Sequence, residues 1–131
     1  AIAILDTETM HVKTTDMPDT TAALHDFVSA LPIIKKCIIE KPFYPAMIGV
    51  TDATKIAQAY GTLMGALAWR DIPTEEVRPA KWKAAMDLSS SKAASREKAN
   101  QLFPDNADQW TRVKDDGRAE AALIAWWGMP K

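Results

Sequence analysis

The chain has 131 residues, 47% of them hydrophobic and 25% charged, with a formal net charge of −1. This describes one globular domain long enough for a real core, and argues against a protein coated in nucleic acid over its whole surface. Cys37 is the only cysteine, so no internal disulfide forms and a reducing, cytoplasmic setting fits. With no signal-peptide pattern and no run of 18 apolar residues, neither secretion nor a membrane span is expected.

In chain order, Ala1–Leu5 reads as an apolar strand, Asp6–Thr9 as a turn and Met10–Thr15 as an alternating strand, so residues 1–15 predict a hairpin. Thr20–Leu31 places Ala23, Leu24, Phe27, Val28 and Leu31 at helical spacing. Cys37–Glu40 is a short buried strand stopped by Pro42, followed by a loop carrying Phe43 and Tyr44. Thr51 or Asp52 then caps a long helix to about Arg70, with Ile56, Tyr60, Leu63, Met64 and Leu67 as its apolar stripe. Gly61 and Gly65 each weaken that helix by roughly 1 kcal/mol relative to Ala, which predicts close packing against another backbone. Residues 73–78 read as a strand. Ala80–Met86 and Lys92–Leu102 read as helices about a Ser89-Ser90-Ser91 joint, and a last helix starts near Asp115. The alternation predicts a single α/β domain spanning residues 1–131.

Two features carry chemistry. Lys114–Ala125, KDDGRAEAALIA, places Asp115, Asp116 and Glu120 at the head of the last helix. Asp116 and Glu120 are four apart and share a face. The macrodipole also favours acids there, by roughly 0.3–1 kcal/mol, so capping competes with a site. Small residues, Gly117, Ala119, Ala121 and Ala122, let this helix press close to a sheet. The second feature is charge: Arg78–Lys98 holds six basic and two acidic residues, a net +4, leaving −5 elsewhere. A basic patch beside an acidic centre suits a phosphate backbone held near metal.

Taken in order, Ile38-Ile39-Glu40-Lys41-Pro42, Tyr60-Gly61-Thr62-Leu63-Met64-Gly65, Val77-Arg78-Pro79-Ala80-Lys81-Trp82-Lys83, Ser91-Lys92-Ala93-Ala94-Ser95-Arg96 and the closing KDDGRAEAALIA resemble the RuvC-like resolvases. These are Holliday-junction endonucleases of phages and bacteria with an RNase H-like fold, a mixed sheet flanked by helices. The resemblance implies a metal-dependent endonuclease that cuts four-way DNA junctions. Two Mg²⁺ ions about 3.5–4 Å apart, or Mn²⁺ in their place, would activate water and stabilise the leaving oxygen. Glu40, Asp116 and Glu120 match the family's acidic ligands and are expected to converge. Asp115 is the weaker candidate, because it points about 100° from Asp116 on a helix. The resemblance also implies DNA contacts from Phe43 and Tyr44, phosphate contacts from Lys81 and Lys83, and a homodimer matched to the two symmetric cuts.

One departure matters. The family's first strand, with its Asp, has no counterpart before Ala1, so the resemblance implies an N-terminally truncated copy, expected to fold poorly and not to cut. A rival reading from the same superfamily takes Asp6-Thr-Glu8 as the first motif of a proofreading exonuclease. That class needs a late His or Tyr followed by Asp, and no such motif follows His25. A third reading is a non-catalytic nucleic-acid-binding or assembly module, with Trp126-Trp127 as contact surface and the acids as caps.

Overall fold

The computed structural model describes residues 1–89 and 91–130. Its elements are β1 (Ile2–Asp6), β2 (His11–Thr15), α1 (Thr21–Ser29), β3 (Cys37–Glu40), α2 (Val50–Trp69), β4 (Thr74–Val77), α3 (Pro79–Ala85), α4 (Lys92–Leu102) and α5 (Asp116–Trp127). Two 3₁₀ segments, Pro104–Trp110 and Val113–Asp115, precede α5. The α/β class is as expected. The expected single mixed sheet does not form among the described residues: β1–β2 pair antiparallel and β3–β4 parallel, as two separate two-stranded sheets. No helix among the described residues is long and apolar enough to cross a membrane.

The chain forms two compact units, one of Pro18–Arg78 and one of Ala1–Met17 with Pro79–Lys131. In the Pro18–Arg78 unit, β3, α2 and β4 make a strand–helix–strand crossover whose core is Leu24, Val28, Ile39, Leu67, Ile72 and Val77. Helix α2 begins one residue before the expected Thr51 cap. Gly49 takes the N-cap position in extended backbone (φ −71°, ψ 156°) without a side-chain hydrogen bond, and Asp52 falls inside the first turn, where it complements the dipole. The expected stripe is present, with Leu67 buried and Ile56, Tyr60, Leu63 and Met64 half-buried. The glycine expectation fails: a Cβ at Gly61 or Gly65 would meet nothing within 4 Å. Their cost to the helix therefore has no compensating close contact within this structure.

Two side chains brace this unit. Arg70, at the end of α2, donates from Nη1 to the carbonyls of Val28 (2.6 Å), Ser29 (3.2 Å) and Leu31 (3.3 Å). It thus adds a charged donor to carbonyls at and just beyond the C-terminus of α1. The Tyr60 hydroxyl donates to the Glu76 carboxylate, tying α2 to β4; burial and then this bond push the phenol up to about 12.

In the other unit, the β1–β2 hairpin closes through Asp6. Its carboxylate accepts the N–H groups of Glu8 (2.9 Å) and Thr9 (3.4 Å), while Met10 takes a left-handed conformation (φ 60°) and donates to the Asp6 carbonyl. The outer edge of β2 is sealed by the 3₁₀ segment Pro104–Trp110, which sequence reading leaves unassigned. Asn106 Oδ1 accepts the Val12 N–H (3.1 Å), Gln109 Nε2 donates to the Val12 carbonyl (2.7 Å), and Gln109 Oε1 accepts the Thr14 N–H (2.6 Å). Two side-chain amides thus take the place of a neighbouring strand at Val12 and Thr14. Behind them lie Trp82, Phe103, Trp110 and Leu123, all essentially fully buried; Phe103 and Trp110 meet edge to face at 6.5 Å. The middle residue of the Ser89-Ser90-Ser91 joint lies outside the described residues.

Replacing Asn106 by Ala leaves the buried Val12 N–H without its acceptor. The expected loss is about 1–3 kcal/mol of stability, the usual cost of a buried unsatisfied donor. Urea unfolding measures it, and faster amide exchange at Val12 locates it.

Candidate functional site

Helix α5 packs against β1, β2, α3 and α4, with Asp116, Ala119, Ala122 and Leu123 on its buried side. A Cβ on Gly117 would sit 3.7 Å from the Ala1 side chain, an ordinary van der Waals distance. Asp116 is the first residue of the helix and is only 8% exposed. Glu120, one turn later, keeps a quarter of its side chain exposed.

Asp115 closes a capping box on the preceding 3₁₀ turn, accepting the Arg112 N–H at 3.4 Å, and Asp116 lies in the first turn of α5, where the dipole favours an acid. Asp115 occupies the N-cap position of α5 without bonding a helix N–H. Its carboxylate instead takes a two-pronged arginine contact, Arg112 Nε to Oδ2 at 2.9 Å and Nη2 to Oδ1 at 3.0 Å. That hydrogen-bonded guanidinium holds the Asp115 carboxyl below the usual carboxylate range, and Arg118 does the same for Asp16 through a 2.9 Å bond. Asp115 is therefore paired with Arg112 through both carboxylate oxygens.

Asp116 and Glu120 face cations of a different kind. Arg96 on α4 brings Nε to 2.8 Å from Asp116 Oδ1, yet both atoms are buried and neither makes a hydrogen bond among the described residues. The distance is that of a contact, but the N–H is not aimed along it. Lys83 on α3 places Nζ 3.6 Å from Glu120 Oε1, an ion pair just beyond hydrogen-bond reach, and lies 5.5 Å from the Trp82 ring centroid. Lys81 is exposed, its Nζ 5.6 Å from the centroid of a Trp127 ring. Both lysines thus flank the face that presents the acids. Arg96 stood in the basic stretch and in the Ser91–Arg96 motif without a role assigned; a basic residue on a helix bordering an acidic face was the available signal.

Glu40 belongs to the Pro18–Arg78 unit. It closes β3, opposite Val77 of β4, and the Lys41 N–H bonds the Val77 carbonyl at 2.7 Å. It sits at the C-terminal end of a parallel pair, where open α/β sheets carry their sites. The loop beyond it exposes Phe43 (74%) and Tyr44 (42%), large rings open to solvent. Asp6, the exonuclease candidate, spends its carboxylate on the hairpin turn.

Two carboxylates a turn apart, each beside a basic side chain and one with a buried oxygen that has no hydrogen-bond partner among the described residues, form a donor set that fits a hard divalent cation only in part. Among the described residues no three His, Cys, Asp or Glu side chains gather as a metal-holding group. Comparison with protein-family models returns no match, and neither does comparison with curated protein sequences.

The Arg112–Asp115 pair sets a pH dependence. Its folded pKa lies below the ordinary 3.8, so its stabilisation is complete above that value and disappears as pH falls through the depressed one. Arg112→Gln is expected to lower the melting temperature at neutral pH. The gap to wild type should narrow as pH drops from about 5 towards about 3, as thermal melts across that range will register.

Proposed function

We propose that this chain is an RNase H-like nuclease of the RuvC-like resolvase type, a metal-dependent endonuclease acting on four-way DNA junctions. The observation that carries the reading is the buried Asp116 with Glu120 one turn on, both facing basic residues of α3 and α4. The ordered motifs of the sequence support it. So does a glutamate closing a parallel strand, followed by exposed aromatic rings.

In this reading Asp116 and Glu120 would hold Mg²⁺ through hard carboxylate oxygens, and Glu40 is a candidate ligand by its sequence motif alone. The bound ion supplies Lewis-acid stabilisation of charge developing at the phosphate. The chain's own residues do the rest. Lys81 and Lys83 hold backbone phosphates beside the acids, and their charge makes junction binding fall as salt rises. Phe43, with Tyr44 beside it, stacks on a base exposed at the branch point; stacking of this kind contributes about 1–3 kcal/mol per base. Two copies would place two such sites on the symmetric strands of a junction.

The test uses the full natural protein. Asp116→Asn and Glu40→Gln are each expected to reduce Mg²⁺-dependent junction cleavage by more than about 100-fold, beyond the loss usual for a residue that merely supports a ligand. Junction binding in a gel-shift assay should change little, because the phosphate-contacting lysines are untouched. A variant that cuts at the wild-type rate removes its residue from the ligand set. Junction binding with neither cleavage nor Mg²⁺ uptake by the wild type would leave the non-catalytic module instead.

A further inference from the structure

We infer that Trp127 is the positioning residue for phosphate contact in this unit: its ring seats Lys81, and so makes Lys81 rather than Lys83 the chief phosphate-holding charge. The inference rests on the proposed reading of the chain as a junction-binding protein, and it separates two lysines which that reading treats alike.

Asp116, Glu120 and Trp127 are spaced by four and seven residues on α5, so they stand along one side of the helix over about 16 Å. Each meets a basic side chain from α3 or α4. Arg96 stands 2.8 Å from Asp116, Lys83 stands 3.6 Å from Glu120, and Lys81 holds Nζ 5.6 Å from the centroid of a Trp127 ring. The first two cations face carboxylates. The third faces an aromatic ring, and Lys81 has no carboxylate partner among the described residues.

That difference decides what each charge can offer an approaching anion. A lysine beside a carboxylate presents a largely cancelled charge, so a phosphate drawn to Lys83 must also face Glu120. A tryptophan ring attracts an ammonium through its quadrupole but carries no net charge, so Lys81 is held in place without being neutralised. The ammonium has three N–H donors and the ring lies on one side of it, which leaves donors for phosphate oxygens. Exposure agrees: Lys81 is exposed, while only 29% of the Lys83 side chain is open to solvent. Lys83 also lies 5.5 Å from the centroid of a Trp82 ring, but Trp82 is fully buried and Glu120 stays within ion-pair distance.

Seating matters because a lysine on a free four-carbon stem loses rotamer freedom when it grips a phosphate. A ring that already confines the stem leaves less to lose on binding. Trp127 is half-buried in the last turn of α5, so the ring is itself held by the protein.

The experiment measures binding of a fluorescein-labelled immobile four-way DNA junction to the intact protein in EDTA, over about 50–200 mM KCl. Lys81→Gln is expected to weaken binding at least about fivefold at low salt and to reduce the salt slope by about 1. Lys83→Gln should stay within about twofold of wild type with its slope unchanged. Trp127→Leu should weaken binding at least about threefold while keeping the slope, because the lysine charge is still present. Trp127→Phe should restore most of that loss, and Trp127→Leu should add nothing once Lys81 is already Gln. In the wild type without DNA, the Lys81 ε-methylene protons should lie upfield of those of exposed Lys92 through ring-current shielding. Unshifted Lys81 protons overturn the seat, whatever the variants do. A Trp127→Leu loss that persists in the Lys81→Gln background leaves Trp127 a structural role alone and overturns the inference. So does a larger loss from Lys83→Gln than from Lys81→Gln, with the proposed function left standing. A wild-type protein that binds no junction at low salt overturns the proposed function, and the inference with it.

Discussion

How closely α5 can approach the β1–β2 hairpin governs the unit that carries the acidic face. Ala119 and Ala122 are fully buried on the face of α5 that packs in this unit, and Gly117 lies within van der Waals reach of the Ala1 side chain. Asp116 shares the buried side with these residues and is carried inward by the same geometry. A carboxylate placed there by backbone packing is largely withdrawn from solvent. It must find a positive partner, and α4 supplies Arg96. The charge arrangement is thus a consequence of small side chains, one step removed.

The hairpin in turn depends on a segment with no periodic signature. A two-stranded ladder is marginal by itself and its outer edge invites association. Asn106 and Gln109 satisfy that edge with amide groups whose donor and acceptor match those of a peptide bond. The 3₁₀ geometry serves this use: its tight turn sets the two side chains three residues apart, nearly eclipsed and along one line. The same segment delivers Trp110 to the core, where its indole N–H bonds Asn100 at 2.8 Å.

Electrostatics divides the acids of this unit into two kinds. Asp115 and Asp16 are held in hydrogen-bonded arginine pairs and have depressed pKa values as a result. Asp116 and Glu120 lie near positive charge without such bonds. The first kind suits stability.

The sequence by itself determined what short-range geometry can encode. Alternation and turn residues marked the hairpin, the apolar run marked Cys37–Glu40 as a strand, and helical spacing marked Lys92–Leu102, each matched by the observed element. A spacing of four put Asp116 and Glu120 on one helical face whatever the tertiary context. Tertiary structure alone decided their partners. Asn106 and Gln109 reach β2 across 94 to 97 residues, and Arg70 reaches the end of α1 across about 40. It also decided that Gly61 and Gly65 face open space, that Asp115 belongs to Arg112, and that Arg96 stands against Asp116. A side chain's own segment fixes its direction through backbone periodicity. What it meets depends on which other segment the fold brings there, and no local pattern of residues carries that information.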